Sequence, residues 1–307
     1  MNTKAPTVSV IISFLDAERF IEESIETVFS QSFEDWELLL VDDGSTDRST
    51  EIARQLSAQA PQRIRYFEHQ KHRNRGVSAS RNVGANGARG KYLAILDSDD
   101  VWLPLKLQEQ IEIMKSHPEV ALVCGLSQYW YSWTARRADL DRDFIENAVV
   151  PTDRVYEPPS LVKKRMNFEW CPCPSDLMMS REALLLLGGF EESFVGIYGP
   201  YEDQALLTKL ALKVPIFVAD RCWTRYRIHD DSVCAVQSKT GNELPVRRFY
   251  LEWLRKYLSD NGVEDIEIWR DFSRACWINR YPRLARVGQL MHRVPRAVAR
   301  RLAGHSR

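Results

Sequence analysis

The hydrophobic residues of the first 125 positions fall into two alternating patterns. Short continuous or β-branched runs predict buried strands, and they occupy residues 7–14, 36–41, 63–69, 91–96 and 119–125. Between these runs, apolar residues recur every three or four positions, which is the spacing of an amphipathic helix. Strands that alternate with helices in this way are typical of an α/β fold with a mostly parallel sheet and helices on both faces.

Polar and small residues indicate where the helices begin and how they pack. Asp16 is predicted to cap the first helix, and Ser45, Thr46 and Asp47 offer caps for the second. Residues 75–90 are rich in Gly, Ala and Ser, so we expect a helix there that lies close to its neighbour.

Two of the predicted strands end in acidic loops. Asp42 and Asp43 follow the second strand, and Asp97, Asp99 and Asp100 follow the fourth, around a single serine. In sheets of this kind ligands bind beyond the carboxyl ends of the strands. If both strands are central, the two acidic loops converge at one edge of the sheet.

The acidic loops have three interpretations. Asp-Gly and Asp-Ser pairs are common in turns and helix caps, and Asp100 is then expected to cap the helix that begins near Pro104. Carboxylates at a strand end also suit a divalent cation, which prefers oxygen ligands. Finally, LDSDDV fits the motif of haloacid-dehalogenase-type phosphatases, with Asp97 as the nucleophile. Those enzymes carry the motif on the first strand, whereas here it follows the fourth.

Six ordered motifs carry a resemblance to a known family. VDDGSTD, SASRNVG and LDSDD occur in the first half, and GGFEESF, YEDQAL and YRIHDDSV follow in the second. Together they resemble the inverting family 2 glycosyltransferases of the GT-A fold over residues 7–235, and six motifs in one order are far more specific than any one alone. The resemblance implies transfer of a sugar from a nucleotide-diphospho-sugar, with UDP the first expectation, to a hydroxyl acceptor that is a glycan or a lipid-linked saccharide. It also implies Mn²⁺ or Mg²⁺ as cofactor and a role in cell-surface polysaccharide or glycolipid synthesis.

The resemblance also implies roles for the residues that bind the donor. Asp43, with Asp42 beside it, is expected to bind the base and ribose, and Arg81 is expected near the diphosphate. Ser13 offers a hydroxyl to the base, and Ser98 is a further donor contact. Leu15 stands where many members of the family carry an aromatic residue, so the base is less firmly implied than the diphosphate.

The metal and the transfer step have their own implied residues. Asp99 is expected to ligate the metal, while Asp97 contacts the ribose, the metal or a water bound to it. His229 is expected to approach the metal or the phosphates. Asp203, or alternatively Glu202, is implied as the general base.

The acceptor side is the least patterned part of the chain, and Trp170 and Ser175 are expected to lie there. A sugar-nucleotide-binding module without catalysis is a further alternative, and retention of the expected metal ligand and base argues against it.

The pattern predicts two domains. Residues 1–240 form the glycosyltransferase domain, with a nucleotide-sugar-binding half at 1–130 and an acceptor-side half at 131–240. Residues 241–307 form a helical, arginine-rich extension.

Charge separates this extension from the rest of the chain. The net charge is zero, but the last 36 residues contain nine arginines and no acid, which leaves 33 basic residues against 42 acidic ones before them. Apolar residues interleaved with arginine fit a helix on an anionic membrane surface, although a protein contact or a solvated tail remain alternatives. The acidic body and the absence of a recognition motif argue against nucleic acid as a partner.

The remaining composition indicates a cytoplasmic protein, with peripheral membrane contact through the tail as an extension of that expectation. No apolar stretch approaches the roughly 20 residues of a membrane span, and the apolar run at residues 8–15 is too short for a signal sequence. The six cysteines are scattered, so reduced thiols are expected.

Overall fold

The computed structural model describes residues 5–166 and 170–284. The chain divides into two units, Met1–Asn242 and Glu243–Arg307. In the described residues the strands are β1 (Val8–Phe14), β2 (Trp36–Asp42), β3 (Ile64–Glu68), β4 (Tyr92–Ile95), β5 (Val101–Trp102), β6 (Leu122–Trp130), β7 (Phe144–Ile145), β8 (Arg154–Tyr156), β9 (Met178–Ser180) and β10 (Ile216–Arg227).

The helices of the described residues are of two kinds. The α-helices are α1 (Ile21–Phe29), α2 (Ser49–Gln59), α3 (Val77–Gly87), α4 (Lys106–Ser116), α5 (Ser160–Met166), α6 (Arg181–Leu186), α7 (Glu202–Lys213), α8 (Val233–Thr240), α9 (Glu243–Asp260) and α10 (Ile266–Arg280). Short 3₁₀ helices occupy Gln70–His72, Ser132–Thr134, Pro174–Asp176 and Gly196–Tyr201.

All ten strands belong to one mixed sheet in the first unit. Its order is β3-β2-β1-β4-β9-β6-β10-β5, with β7 paired to β6 and β8 paired to β10. The strands β3, β2, β1 and β4 are parallel, as are β6 and β10, while β9 runs antiparallel between β4 and β6. The predicted α/β class is confirmed. The sheet is more mixed than the predicted mostly parallel one, because β5, β7, β8 and β9 pair antiparallel with their neighbours.

Alternate residues of β1 explain why helices cover both faces of the sheet. Val10 and Ile12 belong to one buried cluster with residues of α1, α2 and α4, whereas Ile11 points to the opposite face and meets α3. A Cβ built on Gly84 of α3 would lie 2.7 Å from Ile11 Cγ2. The predicted close packing of this small-residue helix is therefore confirmed.

The position of β1 brings the two acidic loops together. It pairs with β2 on one side and with β4 on the other, and Phe14 at its end is aligned with Asp42. The loops that follow β2 and β4 consequently flank the end of β1, as the sequence predicted.

Two predicted boundaries change in the structure. Asp16 does not cap α1, which begins at Ile21; it has a φ of 49° and accepts a hydrogen bond from the Thr46 backbone N–H at 2.6 Å. The loop after β2 lies close to Asp16 in the folded chain, so the Asp16 carboxylate binds Thr46 of that loop and not the start of α1. The fifth predicted strand, at 119–125, begins later and runs further, as β6.

The start of α2 agrees better with its prediction. The helix begins at Ser49, and Asp47 accepts a hydrogen bond from the Ser49 backbone N–H at 2.9 Å. The N-cap position itself is occupied by Arg48, which makes no side-chain cap, so Asp47 supports the first helical N–H from one residue further out.

The second unit contains α9 and α10, which pack against each other. Val246, Tyr250, Leu254 and Leu258 are buried along α9 at a spacing of four residues, as expected for one face of a helix. No helix in the described residues combines the length and apolar character needed to cross a membrane. The predicted membrane contact of the arginine-rich tail concerns mainly positions after 284, which lie outside the described residues.

Candidate active site

The β2 turn (residues 42–45) is held by the side chain of Asp42, which is completely buried. One carboxylate oxygen accepts from the backbone N–H groups of Gly44 (3.1 Å) and Ser45 (2.8 Å). The other accepts from the Thr50 hydroxyl at 2.6 Å and lies 3.1 Å from the Tyr66 hydroxyl. Since both oxygens are used inside the protein, Asp42 shapes the turn.

Asp43 joins the β2 turn to the β3–α3 loop (residues 69–76). Its carboxylate accepts from the backbone N–H groups of Arg75 (2.8 Å) and Gly76 (3.0 Å), and His69 Nε2 lies 3.4 Å from Oδ1. The residue is 4% exposed. Ser13, at the end of β1, is also buried, so the predicted base-binding residues lie on neighbouring strand ends.

The three carboxylates of the β4 turn (residues 97–100) differ in their exposure to solvent. The side chains of Asp97 and Asp99 are 26% and 29% exposed, whereas Asp100 is completely buried. Ser98 is half-buried, and its carbonyl accepts from the Ser24 hydroxyl at 2.9 Å. The turn therefore offers two carboxylates to a ligand and keeps the third inside.

Asp100 is not a helix cap, which corrects the prediction. The helix α4 begins at Lys106 without a side-chain cap, and the Asp100 carboxylate instead accepts from the Ser175 hydroxyl (2.5 Å) and the Arg227 backbone N–H (2.9 Å). Burial, together with Asp99 and Asp97, raises the pKa of Asp100 well above its ordinary value. Local spacing suggested the cap, but long-range partners decided the role.

Asp99 and His229 face each other across the opening of the β4 turn. His229 Nε2 lies 3.0 Å from Asp99 Oδ2, and His229 Nδ1 is buried without a hydrogen-bond partner in the described residues. The predicted pair is therefore brought together by the fold.

A divalent cation fits this pair as an incomplete set of ligands. Residues 5–166 and 170–284 contain no group of three or more His, Cys, Asp or Glu side chains able to hold a metal ion. Asp99 and His229 contact each other directly, so a cation would take the place of that contact. Most of its coordination positions would be left to other oxygens, as in Mg²⁺ sites that bind phosphates.

Arg81 connects the β4 turn to the start of α7. Arg81 is 2% exposed, and its guanidinium donates to Asp97 Oδ1 at 2.5 Å and to Glu202 Oε1. Arg81 Nε and Glu202 Oε2 are buried and have no partner among the described residues. We call these three residues the Arg81 cluster.

Burial controls the protonation of the Arg81 cluster. It raises the pKa of Glu202 to about 7 against the opposing attraction of Arg81. It raises the pKa of Asp97 as well, again with Arg81 opposing. A carboxyl whose pKa lies near neutrality can exchange protons under physiological conditions.

Asp203 is the next residue of α7 and is half-buried. Its carboxylate accepts from the backbone N–H (2.6 Å) and side-chain amide (3.1 Å) of Gln204. Burial raises the pKa of Asp203, and Arg165 opposes that shift. Neutral donors and a raised pKa are compatible with a proton acceptor at this position.

The two residues expected on the acceptor side are both buried. Trp170 is 3% exposed. Ser175 is completely buried, and its hydroxyl accepts from the Asp97 backbone N–H at 3.0 Å while donating to Asp100. Ser175 thus supports the β4 turn from behind, and an acceptor role for these two residues stays a prediction.

Arg227 is a residue of the site that the sequence analysis missed. Its side chain donates to the Asp99 carbonyl (2.6 Å) and to Glu23 (2.6 Å), and its guanidinium lies 4.7 Å from the ring centre of Phe20. The sequence could have indicated this residue, because Arg227 stands two positions before His229 in the YRIH motif.

The comparisons with known proteins concern the family and the fold. The model of the family described as "Glycosyl transferase family 2" matches residues 9–184. One curated relative, the putative teichuronic acid biosynthesis glycosyltransferase TuaG of Bacillus subtilis (strain 168), is 36% identical over 138 residues, which are 44% of this chain and 51% of TuaG. The chain spans about half the length of the curated relatives it matches.

Solved structures share the fold at low sequence identity. S. aureus TarS 1–349 in complex with UDP aligns with a TM-score of 0.56 and 18% identity, over 88% of this chain and 80% of that chain. The mannosyltransferase PcManGT from Pyrobaculum calidifontis, in complex with GDP-Man and Mn²⁺, aligns with a TM-score of 0.58 and 18% identity, over 99% of this chain and 82% of that chain. These alignments support the fold.

Proposed function

The chain belongs to glycosyl transferase family 2, and on that premise we propose that it transfers a sugar from a UDP-sugar to a hydroxyl acceptor with inversion at the anomeric carbon. The observation that carries the proposal is the Arg81 cluster, because its ion pairs hold the start of α7 beside the β4 turn. A base on α7 and a diphosphate at the β4 turn would then both face one sugar.

The β2 turn and the end of β1 are assigned to the nucleotide. Asp43 and Ser13 contact the base and ribose, and Asp42 keeps the turn in shape. The UDP complex of TarS supports uridine, whereas the GDP-Man complex of PcManGT supports guanosine in the same fold. Ser98 is assigned to the donor from its place in the β4 turn.

Asp99 and His229 are assigned as protein ligands of Mn²⁺ or Mg²⁺, with Asp97 beside them. The Mn²⁺ complex of PcManGT supports this assignment. When bound, the ion supplies positive charge to the donor diphosphate. Arg81 balances one of the two possible carboxylate charges of Asp97 and Glu202. Burial raises the pKa of both carboxyls, which further reduces their repulsion toward the phosphates.

Asp203 is assigned as the general base. It accepts the proton of the acceptor hydroxyl as that oxygen bonds to the anomeric carbon, and the bond from the anomeric carbon to the diphosphate breaks with its electron pair leaving on the nucleotide. A single displacement of this kind inverts the configuration. Glu202 is the alternative base, but one of its oxygens is engaged by Arg81.

The acceptor is assigned to the class of glycans and lipid-linked saccharides of cell-surface polysaccharide synthesis, with the reaction in the cytoplasm or at the cytoplasmic face of the membrane. The name of TuaG supports the pathway class. The positive charge of the C-terminal sequence supports contact with an anionic surface. Flotation with anionic liposomes, with and without residues beyond 280, tests that contact, and equal flotation of the two chains would remove it.

A donor screen tests the reaction. UDP-, GDP- and dTDP-sugars are compared with Mn²⁺ by thermal stabilisation and by nucleotide release, with UDP-sugars expected to act first. Asp99→Ala is expected to abolish metal dependence. Asp203→Asn is expected to retain donor binding and lower transfer by about 10²–10⁴-fold.

Glu119→Gln, at an exposed carboxylate, serves as the matched control and should leave both measurements unchanged. Retention of anomeric configuration, or full transfer by Asp203→Asn, would overturn the mechanism. Phosphate release from p-nitrophenyl phosphate would instead favour the phosphatase alternative with Asp97 as nucleophile, for which the family match gives no support.

A further inference from the structure

The β3–α3 loop covers the β2 turn at very short range. A Cβ built on Gly44, whose φ is +88°, would lie 2.7 Å from the Asn74 backbone nitrogen and 2.9 Å from the His72 carbonyl oxygen. Lys71 and His72 both have a positive φ, of 60° and 50°. Residues other than glycine adopt this conformation at a cost, so the surrounding contacts must hold the loop in place.

The side chain of His72 makes the contact between the loop and the turn. Its Nε2 lies 2.8 Å from the Ser45 carbonyl oxygen in the β2 turn. Its Nδ1 lies 2.9 Å from Glu68 Oε2 at the end of β3. The ring therefore bridges the loop, the turn and the neighbouring strand.

The two partners determine the charge of the ring. A carbonyl oxygen only accepts hydrogen bonds, and an ionised carboxylate also only accepts. A neutral imidazole has one N–H and one lone pair, so it would point that lone pair at one of the two oxygens. Both contacts are satisfied together only by the imidazolium form.

Glu68 is kept ionised by its own partners. It accepts from Arg54 Nη2 at 2.9 Å and lies 2.9 Å from the Tyr66 hydroxyl. Burial acts to raise the pKa of Glu68, but the hydrogen bonds from Tyr66 and His72, together with Arg54, outweigh it and lower that pKa.

We propose that His72 is a positioning residue of the nucleotide site, which in its imidazolium form ties the β2 turn to β3 and so fixes the Asp43 carboxylate against the β3–α3 loop. The inference rests on the proposed function, since the β2 turn is the part assigned to the donor base. The connection is specific because Asp43 accepts from Arg75 and Gly76 of the same loop.

The charged groups around the ring predict how the tie depends on pH. Asp42 faces His72 from the turn and Glu68 faces it from β3, while Arg54 of α2 acts through Glu68. The Ser45 carbonyl, with these two carboxylates, raises the pKa of His72 above its ordinary value of 6.5. The tie is thus complete below 6.5 and is lost as pH rises through the higher pKa of the folded protein.

The protonation state is tested on the full chain without any nucleotide. Histidine labelled with ¹⁵N in the ring is followed by NMR between pH 6 and 9, and the His72 signals are those that His72→Gln removes. We expect both His72 nitrogens to be protonated at pH 7 and the ring to titrate above the ordinary value of 6.5. Glu68→Gln should move the His72 titration toward 6.5. A neutral His72 ring at pH 7 would overturn the proposal.

The positioning role is tested in two further measurements. Amide exchange of Gly44 and Ser45, compared at one pH, is expected to be about fivefold faster in His72→Gln than in the wild type, as for the loss of one hydrogen bond. Equal exchange rates would contradict the role, whether or not nucleotides bind.

Calorimetric titration with UDP and Mn²⁺ gives the functional readout. Wild-type affinity is expected to fall about fivefold between pH 6.5 and 9. His72→Gln should bind more weakly than the wild type at pH 6.5, and His72→Arg, which keeps the charge, should lose less affinity than the wild type over the same range. A wild-type affinity unaffected by His72→Gln at pH 6.5 would exclude a role in donor binding. If the wild type binds no nucleotide, the proposed function fails, while the NMR and exchange results still decide the state of His72.

Discussion

The β2 turn and the Arg81 cluster gather buried or partly buried carboxylates at the same edge of the sheet, but the hydrogen-bond partners of these carboxylates differ. In the turn, Asp42 and Asp43 accept hydrogen bonds from backbone amides and hydroxyl groups. In the cluster, one guanidinium faces two carboxylates, and Arg81 Nε and Glu202 Oε2 lack partners in the described residues.

This difference indicates a division of work within the site. A carboxylate whose hydrogen bonds are all made inside the protein, such as that of Asp42, forms part of a fixed frame and needs no ligand to complete them. Asp43 is fixed by backbone amides of the β3–α3 loop and keeps the contact with the base and ribose that we propose for it. Carboxylates held mainly by charge, with raised pKa values and unfilled hydrogen-bonding atoms, retain capacity for a ligand or a proton. We therefore expect changes to the cluster to cost more than changes to the turn.

The largest effect is expected from removing the cation of the cluster. Arg81→Met leaves the buried Glu202 and the partly exposed Asp97 without their common partner, so the free energy of unfolding should fall by about 3–5 kcal/mol. Urea denaturation measures this loss. Arg48→Met, at a guanidinium that is 75% exposed, is the matched control and should change stability by less than about 0.5 kcal/mol. A loss below about 1 kcal/mol for Arg81→Met would mean that the cluster is not held by its charge.

The next effect is a change in pH dependence at Glu202. Its pKa is raised from 4.5 to about 7 in the folded state, so the folded protein keeps a proton that the unfolded chain releases in this range. The contribution of this group to stability is full below about pH 4.5 and is lost as pH rises through about 7. Its size is on the order of 3 kcal/mol.

Glu202→Gln should remove this contribution from the difference in stability between pH 4.5 and 8. Denaturation at the two pH values, for the variant and the wild type, measures it. Glu182→Gln, at an exposed position of α6, is the control and should retain the wild-type difference. An unchanged difference in Glu202→Gln would show that Glu202 ionises normally.

A smaller effect is expected at Ser175, whose hydroxyl supports the β4 turn through Asp97 and Asp100. Ser175→Ala removes the hydroxyl between Asp97 and Asp100, which should cost about 1–3 kcal/mol because Asp100 is completely buried. Denaturation gives the stability, and titration with Mn²⁺ shows whether the turn keeps its shape. The exposed Ser193→Ala provides the comparison.

The smallest effect is expected in the β2 turn. The Tyr66 hydroxyl has one proton and two carboxylate neighbours, Asp42 at 3.1 Å and Glu68 at 2.9 Å. Tyr66→Phe should therefore lower stability by less than about 1 kcal/mol, since Asp42 keeps its other donors. A loss above about 2 kcal/mol would show that changes in the β2 turn cost nearly as much stability as changes in the Arg81 cluster, which would contradict the expected difference between them.

The first half of the fold was predictable because its signals are local. Continuous apolar runs indicated β1 to β4, and Gly84 indicated the close approach of α3 to Ile11. The strand β9 was missed, since three residues that pair antiparallel between β4 and β6 leave no period in the sequence.

The candidate site was predictable to a different extent. The motifs identified Asp99 and His229, which the structure brings to 3.0 Å. They did not indicate that Arg81 is occupied by two carboxylates, or that Arg227 supports the Asp99 carbonyl. These partners lie 16, 121 and 128 residues apart, and spacing along the chain does not reveal contacts of that separation.

The sequence by itself determined the α/β class, the two acidic strand ends and membership of the family, because each depends on residue types at short, fixed spacing. Only the tertiary structure decided which carboxylates have all their hydrogen bonds inside the protein and which are available to a ligand or a proton. Asp42 and Asp100 are consumed by internal donors, whereas Asp97, Asp99 and Glu202 keep a free oxygen or partial exposure. The reason is physical: burial penalises a charge by an amount that depends on its partners, and the fold alone assigns those partners.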